Sequence, residues 1–318
     1  MPIIRDLAAL PTTAKGGAVA IGNFDGVHLG HLQIVRRLLE RAREVGGPAI
    51  VFTFDPHPVR LLRPAECPPP LTWTERKAEL LAAHGVDKIV AYPTDEALLG
   101  LSAQDFFDKI VCEALDARAM VEGPNFYFGH NREGDVELLG KLTAAAGMTL
   151  DVVEPLSVGD KAIGEQLVSS SLIRQLIAEG QVARAAELLS APYRIRGMVT
   201  HGAGRGAKLG FPTANLEAVD TLLPLAGVYA GRAWVGAKSR GTKPRAAAIH
   251  LGPNPTFGEG HLKVEVHLID FEETLYGLPL EVEFLERLRG VEKFEEQGAL
   301  VEQLQRDIGR AREIGFKD

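Results

Sequence analysis

The sequence predicts an α/β domain built on a parallel, helix-flanked sheet, followed by an antiparallel barrel or sandwich and a closing helix. From residue 18 to about 153, short apolar runs alternate with segments of helical periodicity, the pattern of βα units. Around residues 185–198 the pattern changes to short alternating segments separated by Gly and Pro, which indicates antiparallel all-β structure. At 318 residues the chain is long enough for two cores.

The first half starts with a buried strand near 18–22 and a helix near 31–45, where Leu32, Val35, Leu38, Leu39 and Ala42 recur at helical spacing. Ala49–Phe54 reads as a second strand, ended by Asp55-Pro56-His57-Pro58 because proline cannot continue a ladder. After a Pro-rich loop at 64–70 come a helix near 74–84, a strand at Lys88–Tyr92 and a helix near 102–114. A strand at Ala119–Gly123, a helix near 134–146 and a strand at Thr149–Val153 complete the alternation. In the second half the strand-like segments are Tyr193–Val199, Gly227–Val235, Ala246–Leu251, Leu262–Ile269 and Leu280–Leu288. A helix near 293–313 carries apolar Phe294, Leu300, Leu304 and Ile308 between charged residues. The expected domains are 1–188 and 189–318, without internal repeats or low-complexity tracts.

Hydrophobic content of 46% and charged content of 24% are those of an ordinary soluble protein. A net charge of −7 argues against a general nucleic-acid binder and leaves anionic ligands to be held by a few placed donors. There is no signal pattern at Met1-Pro2-Ile3-Ile4-Arg5-Asp6 and no apolar run long enough for a membrane span. Cys67 and Cys112 lack metal-ligand or C-x-x-C spacing, so reduced thiols and a cytoplasmic location are expected.

The densest signal is Gly22-Asn23-Phe24-Asp25-Gly26-Val27-His28-Leu29-Gly30-His31, a loop that joins the first strand to its helix. A helix N-terminus offers unpaired N–H groups and a partial positive charge, a seat for phosphate. Imidazoles there can donate to phosphate oxygens whose charge grows during transfer. His-x-x-His by itself could be half a metal site, but such a spacing is more often plain architecture or chance. The full string is more specific and resembles the signature of Rossmann-like nucleotidyltransferases. Its G-N-F-D-G-V-H-L-G-H form looks most like the adenylyltransferase module of bacterial bifunctional riboflavin kinase/FAD synthetases.

Three further strings carry the same resemblance. Phe54-Asp55-Pro56-His57-Pro58 sits at the carboxyl end of a parallel strand, where open α/β sheets place their ligands. Gly123-Pro124-Asn125-Phe126-Tyr127-Phe128-Gly129 has Asn125 where many relatives have aspartate, which keeps hydrogen bonding and removes charge. Phe126 and Phe128 would border a flavin pocket or pack in the core. Val168-Ser169-Ser170-Ser171-Leu172-Ile173-Arg174 opens a helix and is similar to the S-S-T-x-I-R element of the adenylyltransferases. The resemblance implies that Gly22, Asn23, Phe24, Asp25, Gly30, Ser169, Ser170 and Ser171 bind ATP. It further implies charge stabilisation by His28, His31 and Arg174, with FMN held by His57, Asn125, Phe126 and Phe128.

In the second half, His201-Gly202-Ala203-Gly204-Arg205-Gly206-Ala207-Lys208 is a pliant loop able to wrap phosphates, although it is no Walker A sequence. Pro212-Thr213-Ala214-Asn215 follows, and in an extended segment Thr213 and Asn215 share a face. Two neutral oxygens there suit magnesium carried by ATP. This string resembles the riboflavin kinase signature, as do Asn254-Pro255-Thr256-Phe257 and Val264-Glu265-Val266-His267-Leu268-Ile269-Asp270. Glu265 aligns with the family's catalytic glutamate, and His267 shares its strand face. The resemblance implies ATP binding by Gly202, Gly204, Gly206, Lys208 and Pro212, magnesium at Thr213 and Asn215, and flavin contacts from Arg289 and Glu292.

The expected function is therefore two ATP-dependent steps, riboflavin to FMN in the barrel and FMN to FAD plus pyrophosphate in the Rossmann-like domain. Flavins enter as substrates and products, not redox cofactors, and the chain is expected to act as a monomer or weak homo-oligomer without nucleic-acid or membrane partners. The rivals are another nucleotidyltransferase (cytidylyl or pantetheine-phosphate type), a flavin- or nucleotide-binding regulatory protein with inactive sites, and a metallohydrolase using His28, His31 and His57.

Overall fold

The computed structural model describes residues 3–160, 164–202, 204–236, 243–254, 256 and 259–316, and excludes the side chains of residues 160, 205, 208, 254 and 259–261. It divides into two compact units, Met1–Pro68 with Trp73–Ser170, and Pro69–Thr72 with Ser171–Asp318. This division precedes the change of sequence pattern by two short helices, Ser170–Ala178 and Val182–Leu188.

The first unit is a six-stranded parallel sheet. Its strands are β1 (Ile3–Ile4), β2 (Ala18–Ile21), β3 (Ala49–Asp55), β4 (Lys88–Pro93), β5 (Ala119–Glu122) and β6 (Thr149–Val152), in the order β1-β4-β3-β2-β5-β6. β2 and β5 are buried along their whole length, as strands covered on both faces must be. The strand order reverses between β2 and β5, the switch point at which such sheets open a crevice at their carboxyl ends. β2 and β5 pair only through Ala18↔Ala119 and Val19↔Met120, so the two strands are unladdered at that end.

Local chemistry explains the helices that frame this end. Leu29–Val45 ends at Gly46, whose φ of 67° is the left-handed conformation that glycine adopts without a Cβ penalty. The expected helix near 102–114 starts at Ala103 behind a Ser102 cap and then widens, with Leu115 N–H donating to Ile110 O five residues back. The sequence pattern did not show β1 or the hairpin of β7 (Ser157–Asp160) and β8 (Gly164–Leu167). These strands are too short, and the hairpin too polar, for periodicity to register.

In the second unit the choice between barrel and sandwich resolves to a closed antiparallel barrel, order β10-β13-β12-β11-β14-β9. Its strands are β9 (Arg194–Thr200), β10 (Ala214–Glu217), β11 (Gly227–Val235), β12 (Arg245–Asn254), β13 (Glu259–Leu268) and β14 (Pro279–Arg289). β10 closes the ring by pairing with both β9 and β13. The final helix runs over Gln297–Gly315, later than its apolar pattern suggested, because Phe294 belongs to the approach segment and its N–H donates to Thr256 Oγ1 at 3.2 Å. Ala311 packs with Ala230 and Ala246 of the barrel wall and with Ile269 just beyond β13, and the three alanines permit the close approach. Cys67 and Cys112 are free.

Candidate active sites

In the first unit the histidine loop is held under strain. Phe24 and Val27 have φ of 46° and 43° and are almost wholly buried. Left-handed backbone at a β-branched residue is costly and persists only where the surroundings enforce it. The loop leads into Leu29–Val45, where the two histidines form a reciprocal cap. His31 N–H donates to His28 Nδ1 and His28 N–H to His31 Nδ1, both at 3.3 Å, and the rings stack with centroids 3.7 Å apart.

This differs from a bare helix terminus, since two backbone donors are already used by the rings. It also fixes the imidazole chemistry. A ring whose Nδ1 accepts a hydrogen bond carries its proton on Nε2 when neutral. Burial lowers the His28 pKa to about 4, against a smaller upward pull from Asp25. His31 is pushed well below its usual value by burial, then by His28 and Lys77. At neutral pH the pair therefore presents two uncharged Nε2–H donors.

Other parts of the loop are tied to the sheet. Thr53 Oγ1 donates to Asn23 O at 3.2 Å, and Ser170 Oγ donates to Asp25 O at 2.9 Å. Asn23 Oδ1 is buried without a hydrogen-bond partner, an acceptor left for a ligand or water. A Cβ on Gly30 would lie 3.2 Å from the His28 ring and 3.3 Å from Val168 O, so only glycine leaves the ring undisturbed. His57 follows β3 and caps the short helix Pro58–Leu62, its Nδ1 accepting from Val59 N–H at 3.1 Å. Asn125 is exposed on the turn after β5. Of the two candidate flavin-bordering rings, Phe128 packs in the core and stacks on the partly buried Phe126. The serine string spans the division of the chain: Ser169 and Ser170 belong to the first unit, Ser171 and Arg174 to the second. Arg174 Nε donates to Pro69 O at 3.2 Å.

Glu122 and Lys77 were not visible as candidates in the sequence. Glu122 ends β5, and its Oε1 accepts from Ile21 N–H at 2.8 Å, bridging β2 and β5 beyond their last ladder pair. Burial drives its pKa well above the usual carboxylate value, against the pull of that hydrogen bond. The folded state then keeps a proton that the unfolded chain releases, so stability falls as pH rises above the unfolded carboxyl pKa. Glu122→Gln keeps the acceptor and removes the titration. Chemical denaturation is expected to show a gain over the wild-type chain that is larger at pH 8 than at pH 5.

The second unit contains a cavity of about 150 Å³ lined by Gly204, Gly206, Thr213, Asn215, Glu265, Arg289 and Glu292, which are far apart in sequence. The register explains how they meet. Asn215 of β10 and His250 of β12 both lie directly opposite Glu265 of β13, so the three form one row facing the cavity. His250 Nδ1 is buried, has no hydrogen-bond partner and lies 3.7 Å from Glu265 Oε2. Burial lowers the His250 pKa, with Glu265 raising and Arg289 lowering it further. His267 Nδ1–H donates to Pro212 O at 2.8 Å and so anchors the Thr213–Asn215 segment.

Asn215 also packs against Gly202, where a Cβ would come within 2.1 Å of its Nδ2. Arg289 is committed to Asp307 of the final helix, with Nε and Nη2 donating to its carboxylate at 2.8–3.2 Å. Phe294, Leu300, Leu304 and Ile308 supply the apolar wall. Ala203, Pro255, Phe257 and the side chains of Lys208, Arg205 and Asn254 lie outside the described residues.

A FAD synthetase family model matches residues 10–167, and a riboflavin kinase family model matches residues 189–315. The bifunctional riboflavin kinase/FMN adenylyltransferase of Pseudomonas fluorescens is 33% identical, covering 99% of this chain and 98% of that protein. Its counterpart in Escherichia coli K12 is 34% identical over 99% and 98% of the two chains. The chain belongs to the bifunctional riboflavin kinase/FMN adenylyltransferase family. A solved structure described as a macrolide-efflux protein from Streptococcus pneumoniae is also similar, with 30% identity, a TM-score of 0.81 and coverage of 98% of each chain. No helix among the described residues is long and apolar enough to cross a membrane. The histidine loop falls inside the FAD synthetase match and the cavity inside the riboflavin kinase match.

Thr213 and Asn215 offer a hydroxyl and an amide oxygen at the cavity, a neutral hard-oxygen pair that suits a cation arriving with nucleotide phosphates. No group of three His, Cys, Asp or Glu side chains among the described residues is placed to hold a metal. His28 and His31, capping one another through Nδ1, are thus not accompanied by the ligand set of a metallohydrolase.

Proposed function

We infer that this chain converts riboflavin to FMN in its barrel unit and FMN to FAD in its α/β unit, with ATP as co-substrate of both steps. What carries the reading is the near full-length similarity to bifunctional enzymes, with the two family matches in the same order as two chemically distinct candidate sites. A functional division at residues 188/189 is supported by the start of the riboflavin kinase match at residue 189.

In the kinase step the primary alcohol of riboflavin attacks the γ-phosphorus of ATP and ADP leaves. Glu265 orients that hydroxyl and accepts its proton, since an alcohol is a poor nucleophile. The N–H groups of the loop at Gly202, Gly204 and Gly206 cradle the phosphates, with Lys208 and Pro212 beside them. Magnesium, held by Thr213, Asn215 and the phosphates, supplies charge neutralisation when bound. Arg289 and Glu292 border the flavin, Arg289 being held in place by Asp307.

In the adenylyl step a phosphate oxygen of FMN attacks the α-phosphorus and pyrophosphate leaves. The nucleophile is already an anion and needs no base. His28 and His31 donate through Nε2–H to oxygens that gain charge, as uncharged donors rather than imidazolium groups. Gly22, Asn23, Phe24, Asp25, Gly30 and the serines at 169–171 hold ATP, while His57, Asn125 and Phe126 receive FMN. Arg174 is assigned to the departing pyrophosphate on its motif alone. ATP as co-substrate of both steps is in keeping with a cytoplasmic location, and the chain is taken to act as a monomer or weak homo-oligomer.

The test is to incubate the purified chain with riboflavin and MgATP and resolve the flavins by chromatography. FMN followed by FAD is expected. FMN alone removes the adenylyl assignment, and neither product removes both. Gly30→Ala should slow FAD formation by about 10–100-fold through the displaced His28 ring, with FMN formation unchanged.

A further inference from the structure

Lys77 lies in the first turns of the helix Thr74–Ala83 and is 7% exposed. Lysine is almost never buried this far unless its charge is paired. Among the described residues its ammonium makes one hydrogen bond, to Thr53 Oγ1 at 3.3 Å, and no ion pair. Two of its three N–H donors are therefore unused by the protein. Burial lowers the Lys77 pKa from its ordinary value, against smaller upward pulls from Asp25 and Asp55, and Asp55 is already bonded to Arg5 at 2.6 Å.

The placement is specific. Thr53 sits near the carboxyl end of β3, and its hydroxyl passes the bond on to Asn23 O in the histidine loop. Lys77 is close enough to His31 for its charge to depress that imidazole. A buried ammonium with spare donors, beside two neutral Nε2–H donors and ion-paired to neither Asp25 nor Asp55, is equipped to take up the oxygens of an anion.

We propose that Lys77 is a further catalytic residue of adenylyl transfer, whose ammonium contacts the reacting phosphate oxygens where FMN and the α-phosphate of ATP meet. This rests on the adenylyl-transfer reading given above. Two phosphates must approach each other, and a compact point charge at their meeting place offsets the repulsion. The FMN oxygen forms the new bond to the α-phosphorus, and the α–β bridging oxygen departs with its electron pair on pyrophosphate. Lys77 keeps its protons throughout. A lysine held for this purpose burdens the fold, as functional groups often do.

The test compares the full-length chain with Lys77→Met, which keeps the length and apolar stem and removes the charge. FAD formation from supplied FMN and MgATP is expected to fall at least 100-fold, mainly in kcat with the KM for ATP within threefold. FMN formation from riboflavin should stay within twofold, and Tm should be unchanged or raised. FAD formation retained within threefold overturns the proposal. So does a loss of FAD formation accompanied by a Tm lowered by several degrees, which marks a structural lysine. A wild-type chain that makes FMN but no FAD overturns the underlying reading, and Lys77 falls with it.

Discussion

Glu265→Gln is expected to cut FMN formation from riboflavin by about 10²–10⁴-fold, the usual range for loss of a positioned general base. FAD formation from supplied FMN should be unaffected. Glutamine preserves shape and can still accept from the hydroxyl, so binding survives and the loss lies in kcat. Its cross-strand neighbours cannot replace it: Asn215 is neutral, and His250 presents a buried Nδ1 at 3.7 Å rather than a second carboxylate. If both activities fall together in a chain with normal Tm, the division of labour between the two units is wrong.

His28→Asn is expected to lower FAD formation by about 10²–10³-fold with FMN formation intact, the loss typical of a single oxyanion-type donor. Asparagine caps helix N-termini well, so its Oδ1 can replace Nδ1 as acceptor for His31 N–H while the Nε2–H donor disappears. Capping and catalysis are thereby separated, and Tm should hardly move. The rate of FAD formation should show no limb near pH 6.5 from this histidine, because its folded pKa is about 4. A limb near pH 6.5 that vanishes in His28→Asn would mean that the imidazolium is the working form.

The same shift sets a stability trend. Between about pH 4 and 6.5 the unfolded chain binds a proton that folded His28 does not, so stability rises with pH across this window and is lost on acidification. Differential scanning calorimetry of the wild-type chain against His28→Asn over this range separates it from the opposite trend that Glu122 contributes.

The parallel sheet was legible because strands such as β2 and β5 are wholly apolar, and a strand buried on both faces leaves no other pattern. The residue pattern left barrel against sandwich open, since the closure depends on β10, four residues between a glycine loop and a turn, and the barrel was implied by the resemblance to riboflavin kinases. The histidine loop could be found by its string, yet its working form could not. Mutual capping through Nδ1 is a matter of ring geometry, and it decides which nitrogen holds the proton. Lys77 and Glu122 stayed hidden because a charged residue on a helix or at a strand end reads as solvated until its burial is known. His250 was hidden for another reason: only the register between β12 and β13 sets it opposite Glu265.

The central claim is that one chain performs two successive transfers from different phosphates of ATP. ATP labelled at the γ-phosphorus in one reaction and at the α-phosphorus in another, each with riboflavin and the wild-type chain, tests it most directly. Among the flavins, γ-label is expected in FMN and in the FMN half of FAD, and α-label in FAD alone. γ-label absent from flavin products, or α-label appearing in FMN, would contradict it.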